Sequence, residues 1–210
     1  MNNSNNNFKK PPQQQLNSLL ELYQTGRYVD AEKISLSITE EFPKHQFAWK
    51  VLAAAQKQMG KINESLVASQ KAVQLEPQDA EAHYNLGNAF KDLSRFDEAE
   101  VNYKKAIKFK PGHVKAYNNL GVTLHQLGKL NEAEKNYKRL IILKPDNAEA
   151  YNNLGAILQE MERLNEAEKN LNRTIKLKPN YVDAHYNLGV TLQKQEKFNK
   201  AEKSYKKVIE

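Results

Sequence analysis

Five prolines, Pro43, Pro77, Pro111, Pro145 and Pro179, stand 34 residues apart, and only Pro11 and Pro12 lie off that ladder. Glycine keeps the same period on two further phases, with Gly87, Gly121, Gly155 and Gly189 on one and Gly26, Gly60 and Gly128 on the other. A period of this length means one supersecondary unit copied along the chain. Such a unit cannot bury both its faces alone, so each copy uses the next as its core. The sequence is therefore constrained to a stack of repeats rather than a globule around one centre.

With each ladder proline at position 32, repeats begin at Pro12, Gln46, Ala80, Val114, Ala148 and Val182, and the sixth is incomplete. Each carries two stretches with apolar spacings of three and four, for example Tyr117, Leu120, Leu124 and Leu127, then Ala133, Tyr137, Leu140 and Ile141. That spacing predicts two amphipathic helices, A and B, per repeat. Helix A is expected to stop near position 15, where Gly26, Gly60 and Gly128 can turn left-handed without a Cβ clash. Where Ser94, Glu162 or Glu196 stands instead, the stop is assigned to packing. Helix B is expected to open with Asp97, Asn131, Asn165 or Asn199 as N-cap, followed three residues later by Glu100, Glu134, Glu168 or Glu202. It ends before the ladder proline, which cannot continue a helix. Small residues at position 8 (Ala53, Gly87, Gly121, Gly155, Gly189) and position 20 (Ala31, Ser65, Ala99, Ala133, Ala167, Ala201) mark where two backbones come close.

Composition removes several function classes. The chain has no cysteine, which excludes disulfides, thiolate metal sites and a cysteine nucleophile. No HExxH or other metal spacing links its five histidines, and no phosphate-binding glycine loop appears, so neither metal nor cofactor is expected. No run approaches the roughly 18 apolar residues of a membrane span, and Met1-Asn2-Asn3-Ser4-Asn5-Asn6-Asn7 has no apolar stretch like a signal peptide. A cytoplasmic protein with a disordered tail over residues 1–11 is the expectation. The net charge of +7 invites a nucleic-acid reading. Yet Lys104, Lys105, Lys138, Lys169, Lys203, Lys206 and Lys207 are expected in the later turns of helix B, with Glu98, Glu132, Glu166 and Glu202 in its first turn. The helix dipole favours that arrangement on a solvated face, so no nucleic-acid partner is expected.

The fragments Ala116-Tyr117-Asn118-Asn119-Leu120-Gly121, Asn131-Glu132-Ala133-Glu134-Lys135-Asn136-Tyr137 and Lys144-Pro145 resemble the tetratricopeptide pattern of aromatic, Leu-Gly, Ala, aromatic and Pro. The resemblance covers repeats three to five fully, repeat six as far as Glu210, repeat two with Ala53 and Ser65 as substitutions, and the second half of repeat one. At position 4 the family aromatic is kept as Trp49, Tyr117 and Tyr151 but becomes His83 and His185, which is expected to weaken local packing. The resemblance implies an all-α fold, a right-handed superhelical α-solenoid of about six stacked helix-turn-helix units over residues 12–210. It also implies helices A lining a concave groove, where partners of this family usually bind.

Helix A carries a polar ladder at position 6, Asn85, Asn119, Asn153 and Asn187, with Asn17 in repeat one and Val51 interrupting. Tyr84, Asn118, Asn152 and Tyr186 stand beside it at position 5, and Asn88, Lys91 and Lys115 complete the candidate groove. Asparagine both donates and accepts, so a row of amides can bind the backbone of an extended peptide whatever its side chains. The ladder resembles the asparagine-lined repeats of protein O-linked N-acetylglucosamine transferases. The competing reading is that the amides merely bond neighbouring helices. A cationic clamp for a partner's C-terminal carboxylate, as in chaperone-binding relatives, matches at Lys50, Asn85 and Lys115 but fails at Ala54 and Asn119. The function expected is a non-catalytic scaffold binding a protein or peptide; the alternative is the substrate-recruiting front of a larger glycosyltransferase or sulfotransferase. Ala201, Tyr205 and Val208 lack a following repeat before Glu210, so self-association through the last helix is a further expectation.

Overall fold

The computed structural model describes residues 10–209, so most of the tail expected over residues 1–11 lies outside the described residues. Among the described residues every regular element is an α-helix. The A helices are α1 (Gln13–Gln24), α3 (Gln46–Gln58), α5 (Ala80–Asp92), α7 (Val114–Gln126), α9 (Ala148–Glu160) and α11 (Val182–Lys194). The B helices are α2 (Tyr28–Glu41), α4 (Ile62–Leu75), α6 (Phe96–Phe109), α8 (Leu130–Leu143), α10 (Leu164–Leu177) and α12 (Phe198–Ile209). They form two compact bodies, one through Lys110 with α1 to α6 and one from Pro111 with α7 to α12. Within each body, A and B of one repeat pair, each B packs on the next A, and successive A helices also touch, as α7 does α9 and α9 does α11.

The turn from A to B is identical in kind in every repeat, whatever residue occupies position 15. Gly26, Gly60 and Gly128 have φ of 77°, 74° and 68°, and Ser94, Glu162 and Glu196 have φ of 57°, 56° and 61°. Packing alone was the expected stop at those last three, but they too turn left-handed, at a cost of about 1–2 kcal/mol each for a residue with a Cβ. What compensates is the bond each turn closes. The N–H of position 16 reaches the carbonyl of position 11, as in Arg95 to Phe90 (2.9 Å), Lys129 to Leu124 (2.9 Å) and Arg163 to Leu158 (2.8 Å). This satisfies an acceptor that a helix end otherwise leaves orphaned.

Helix B opens two residues earlier than the sequence indicated. In repeats three to five its N-caps are Arg95, Lys129 and Arg163, none with a side-chain cap bond, and Asp97, Asn131, Asn165 and, in α12, Asn199 sit inside the first turn. The left-handed residue at position 15 leaves position 16 as the half-helical residue, so the cap falls on a cation. Two of the glutamates placed to reach back, Glu134 and Glu168, pair instead with Arg163 (2.7 Å) and Lys197 (2.7 Å) of the following repeat, as Glu32 at the same position does with Lys61 (2.6 Å). Helix A does use side-chain caps, with Asp79 Oδ1 accepting from the Ala82 N–H (2.9 Å) and Asn147 Oδ1 from the Ala150 N–H (3.1 Å).

In repeats three to six a glycine at position 8 receives a large side chain from position 24 of helix B. A Cβ on Gly87 would lie 2.7 Å from Tyr103 Cε1, one on Gly121 2.6 Å from Tyr137 Cε2, and one on Gly155 2.7 Å from Leu171 Cγ. Repeat two makes the complementary choice, Ala53 with the small Ser69, both buried. The histidines at position 4 do not merely weaken packing. His83 is buried, stacks on Phe109 with centroids 5.6 Å apart, and places its ring nitrogens 3.0 Å from Asn102 Oδ1 and 3.0 Å from the Pro77 carbonyl. His185 reaches the Pro179 carbonyl (2.7 Å) and Trp49 the Pro43 carbonyl (2.9 Å). A polar aromatic at position 4 thus ties helix A to the ladder-proline turn before it.

Candidate functional site

In the first body the candidate residues fall on α5. Tyr84 and Asn85 are half-buried, and the Tyr84 ring lies 6.1 Å from that of Tyr103. Asn88 is buried, its Oδ1 accepting from the Tyr103 hydroxyl (2.9 Å), so it helps to seat that ring; Lys91 is half-buried near the helix end. Lys50, the first member of the carboxylate clamp, is already paired with Asp79 (2.7 Å). Burial opposes ionisation of Asp79, but Lys50, the Ala82 N–H and Gln46 outweigh it and hold the carboxyl at about 2. A lysine neutralised in this way is poorly placed to receive a second carboxylate.

The second body brings four of the remaining candidates together and leaves Lys115, Asn118 and Asn119 outside the group. Asn152, Asn153, Tyr186 and Asn187 line a cavity of about 350 Å³ between α7, α9 and α11. Asn187 Nδ2 donates to Asn152 Oδ1 (3.2 Å), Asn152 Nδ2 to Asn153 Oδ1 (3.3 Å), and Asn153 Nδ2 to the Tyr137 hydroxyl oxygen (3.2 Å). Three amides therefore form one directed relay that ends on a buried phenol. Asn152 is buried, Asn153 and Asn187 are half-buried, and Tyr186 is exposed with its ring 6.2 Å from that of Tyr205. Asn119 is half-buried, Lys115 is exposed, and Asn118 Nδ2 donates to Glu149 Oε1 (2.9 Å) while its buried Oδ1 has no partner. Both readings of the ladder thus have a physical counterpart, since the amides bond one another and also wall a cavity.

Six residues that complete this cavity were not among the sequence candidates: Val122, His125, Tyr137, Ala156, Ile157 and Asp183. Burial drives the Tyr137 pKa well above the usual tyrosine range, so the phenol keeps its proton at neutral pH. His125 Nε2 lies 2.7 Å from Glu160 Oε1, and Asp183 is exposed with no ion pair or hydrogen bond among the described residues. One signal was available in the sequence: Val122 takes the position that Asn88 holds in the preceding repeat, which withdraws an acceptor from the helix B tyrosine. A larger hollow of about 630 Å³ beside Pro11, Phe42, Pro43 and His45 contains none of the candidate residues.

Three of the B-helix lysines have a local partner in the same helix. Lys104, Lys138 and Lys206 pair with the glutamate four residues earlier, Glu100 (2.5 Å), Glu134 (2.7 Å) and Glu202 (2.7 Å). Burial opposes the charge on Glu134, but Lys138 and Arg163 overcome it and hold its pKa below the ordinary glutamate value. Among the described residues no helix is long and apolar enough to cross a membrane, and no group of three or more His, Asp or Glu is placed to hold a metal ion.

Comparison with solved structures finds the same fold. YrrB, described as a tetratricopeptide protein with an unusual peptide-binding site, is 24% identical over 83% of this chain and 90% of its own, with a TM-score of 0.73. MamA from Desulfovibrio magneticus is 21% identical over 78% of this chain and 93% of its own (TM-score 0.74). A tetratricopeptide protein from Parabacteroides merdae is 17% identical over 94% of this chain and 78% of its own (TM-score 0.79). A search of curated protein sequences gives no significant match. Four family models described as TPR or tetratricopeptide repeat match residues 55–94 with 123–162, 80–113, 146–210 and 102–135. With the 34-residue period, the recurring left-handed turn and these models spanning residues 55–210 between them, the chain belongs to the tetratricopeptide-repeat family.

Proposed function

We propose that this protein is a non-catalytic interaction scaffold whose A-helix face takes an extended segment of a partner protein. The observation that carries the reading is the cavity between α7, α9 and α11, walled by amides that retain hydrogen-bonding capacity beyond the relay they form. Each asparagine has two N–H donors and an oxygen with two lone pairs, so one bond to a neighbouring amide leaves sites for a peptide backbone. Tyr186 adds an exposed aromatic surface at the same place. The description of YrrB as peptide-binding agrees with this reading. The pairing of Lys50 with Asp79 turns it away from a clamp for chaperone tails. Recruitment of substrate for a larger enzyme would use the same face, and its likeness to glycosyltransferase repeats rests on Asn85, Asn119, Asn153 and Asn187 alone.

Replacing Asn119 and Asn153 together by alanine tests the proposal. Partner affinity is expected to fall by about tenfold or more, from at least one lost hydrogen bond of about 1.5 kcal/mol, while the helical circular dichroism and the melt stay near the parent. Unchanged affinity in a folded double variant would remove the A-helix face as the binding site.

A further inference from the structure

Helix B carries a tyrosine at position 24 in three repeats, Tyr103, Tyr137 and Tyr205, and two of them donate their hydroxyl proton to helix A of their own hairpin. Tyr103 donates to Asn88 Oδ1 (2.9 Å) and Tyr205 to Gln193 Oε1 (3.0 Å). Tyr137 differs. Its own helix A offers Val122 where Asn88 stands, and its oxygen instead accepts from Asn153 of the next repeat. No acceptor among the described residues takes its proton, although the side chain is only 1% exposed and forms part of the cavity wall. A buried hydroxyl donor left in this state costs about 1–3 kcal/mol unless a ligand or water completes it. The relay of Asn187, Asn152 and Asn153 feeds donors into that oxygen, and such chains polarise their last member into a stronger donor.

Resting on the peptide-binding reading above, we propose that this cavity is a subsite for an uncharged primary-amide side chain, asparagine or glutamine, of the bound segment. The wall requires an acceptor at Tyr137, and the mouth offers acceptors in Asn187 Oδ1 and the unpaired carboxylate of Asp183. A primary amide supplies both halves at once, its oxygen accepting from the phenol and its N–H groups donating to Asn187 and Asp183. A carboxylate side chain would satisfy Tyr137 but meets Asp183 and the Glu160 that faces His125. Lysine and arginine would suit Asp183 yet have no acceptor for the phenol, and an apolar side chain satisfies neither. The cavity of about 350 Å³ is large enough for one such side chain.

The full chain is panned against a randomised nonapeptide library, and a retained peptide is resynthesised with glutamine, glutamate, lysine or methionine at its conserved amide position. Fluorescence anisotropy is then read against the parent, Tyr137→Phe and Val122→Asn. The second variant supplies the acceptor that Asn88 gives Tyr103, so it removes the free donor without touching the ring. Glutamine is expected to bind the parent about tenfold tighter than methionine, glutamate or lysine. Both variants are expected to lose the roughly tenfold ratio of glutamine to methionine affinity that the parent shows. Retained peptides with no asparagine or glutamine consensus, or an advantage that survives in either folded variant, overturn the subsite and leave the scaffold reading standing. If no peptide is retained by the parent at all, the scaffold reading fails first and the subsite with it.

Discussion

Gly121→Ala is a severe test of how these hairpins close, because two effects of known size oppose each other. In an exposed helix the change would stabilise by about 1 kcal/mol, since alanine restricts the unfolded chain. Here the new Cβ would stand 2.6 Å from Tyr137 Cε2 and 2.8 Å from Cε1, roughly 1 Å inside ordinary carbon contact. The ring cannot swing away freely: Tyr137 is 1% exposed and its hydroxyl is held by Asn153. Forcing one methyl into such a site costs about 1–3 kcal/mol, so the net effect is a loss of about 1 kcal/mol, and Gly121→Leu should lose more. For a chain of this size that corresponds to a melting temperature lower by about 2–4 °C, read by circular dichroism. Tyr137→Ser in the Gly121→Ala background reproduces the Ala53 and Ser69 pairing of repeat two, and should make the added methyl far less costly than it is opposite tyrosine. A Gly121→Ala protein that melts at or above the parent would refute the close-contact argument.

Glu162→Gly should stabilise by about 0.5–1 kcal/mol, because it relieves a left-handed φ of 56° and gives up only a solvent-exposed pair with Lys194; a lower melting temperature would show that the turn is unstrained. His83→Phe keeps a ring against Phe109 but leaves the Pro77 carbonyl and Asn102 Oδ1 without the imidazole, at a cost of about 1–3 kcal/mol, and an unchanged urea midpoint would argue against the proline tie. Asp79 has a folded pKa of about 2 against an ordinary 3.8, so its contribution is fully present above pH 4 and is lost as pH falls through 2. After allowance for solvent screening, Asp79→Asn should remove about 1 kcal/mol of stability at pH 6 and only a small part of that at pH 2; an equal deficit at both would point to lost packing instead of lost charge.

The period, the two helices per repeat and the close approach at Gly87, Gly121, Gly155 and Gly189 were legible in the residues, because each depends on local spacing that 34-residue copying keeps in phase. The asparagine ladder was visible for the same reason. Its partners were not. Asn152 meets Asn187 across 35 residues, Glu134 meets Arg163 across 29, and Lys50 meets Asp79 across 29, and nothing short of the packed hairpins says which side chain arrives. The cap of helix B was misplaced by two residues because the left-handed turn at position 15 depends on the closing bond from position 16 to position 11, which forms with Ser94 and Glu162 as it does with glycine.

Sequence alone determined that this chain builds helical hairpins in a fixed order, since helix length, turn and close contact are written into every copy. The tertiary structure decided which polar atoms are satisfied, and so where a ligand has something to complete. Tyr137 has a free donor because Val122 fails to accept from within its hairpin and Asn153 arrives from the next, a consequence of the mismatch between neighbouring copies once they are packed.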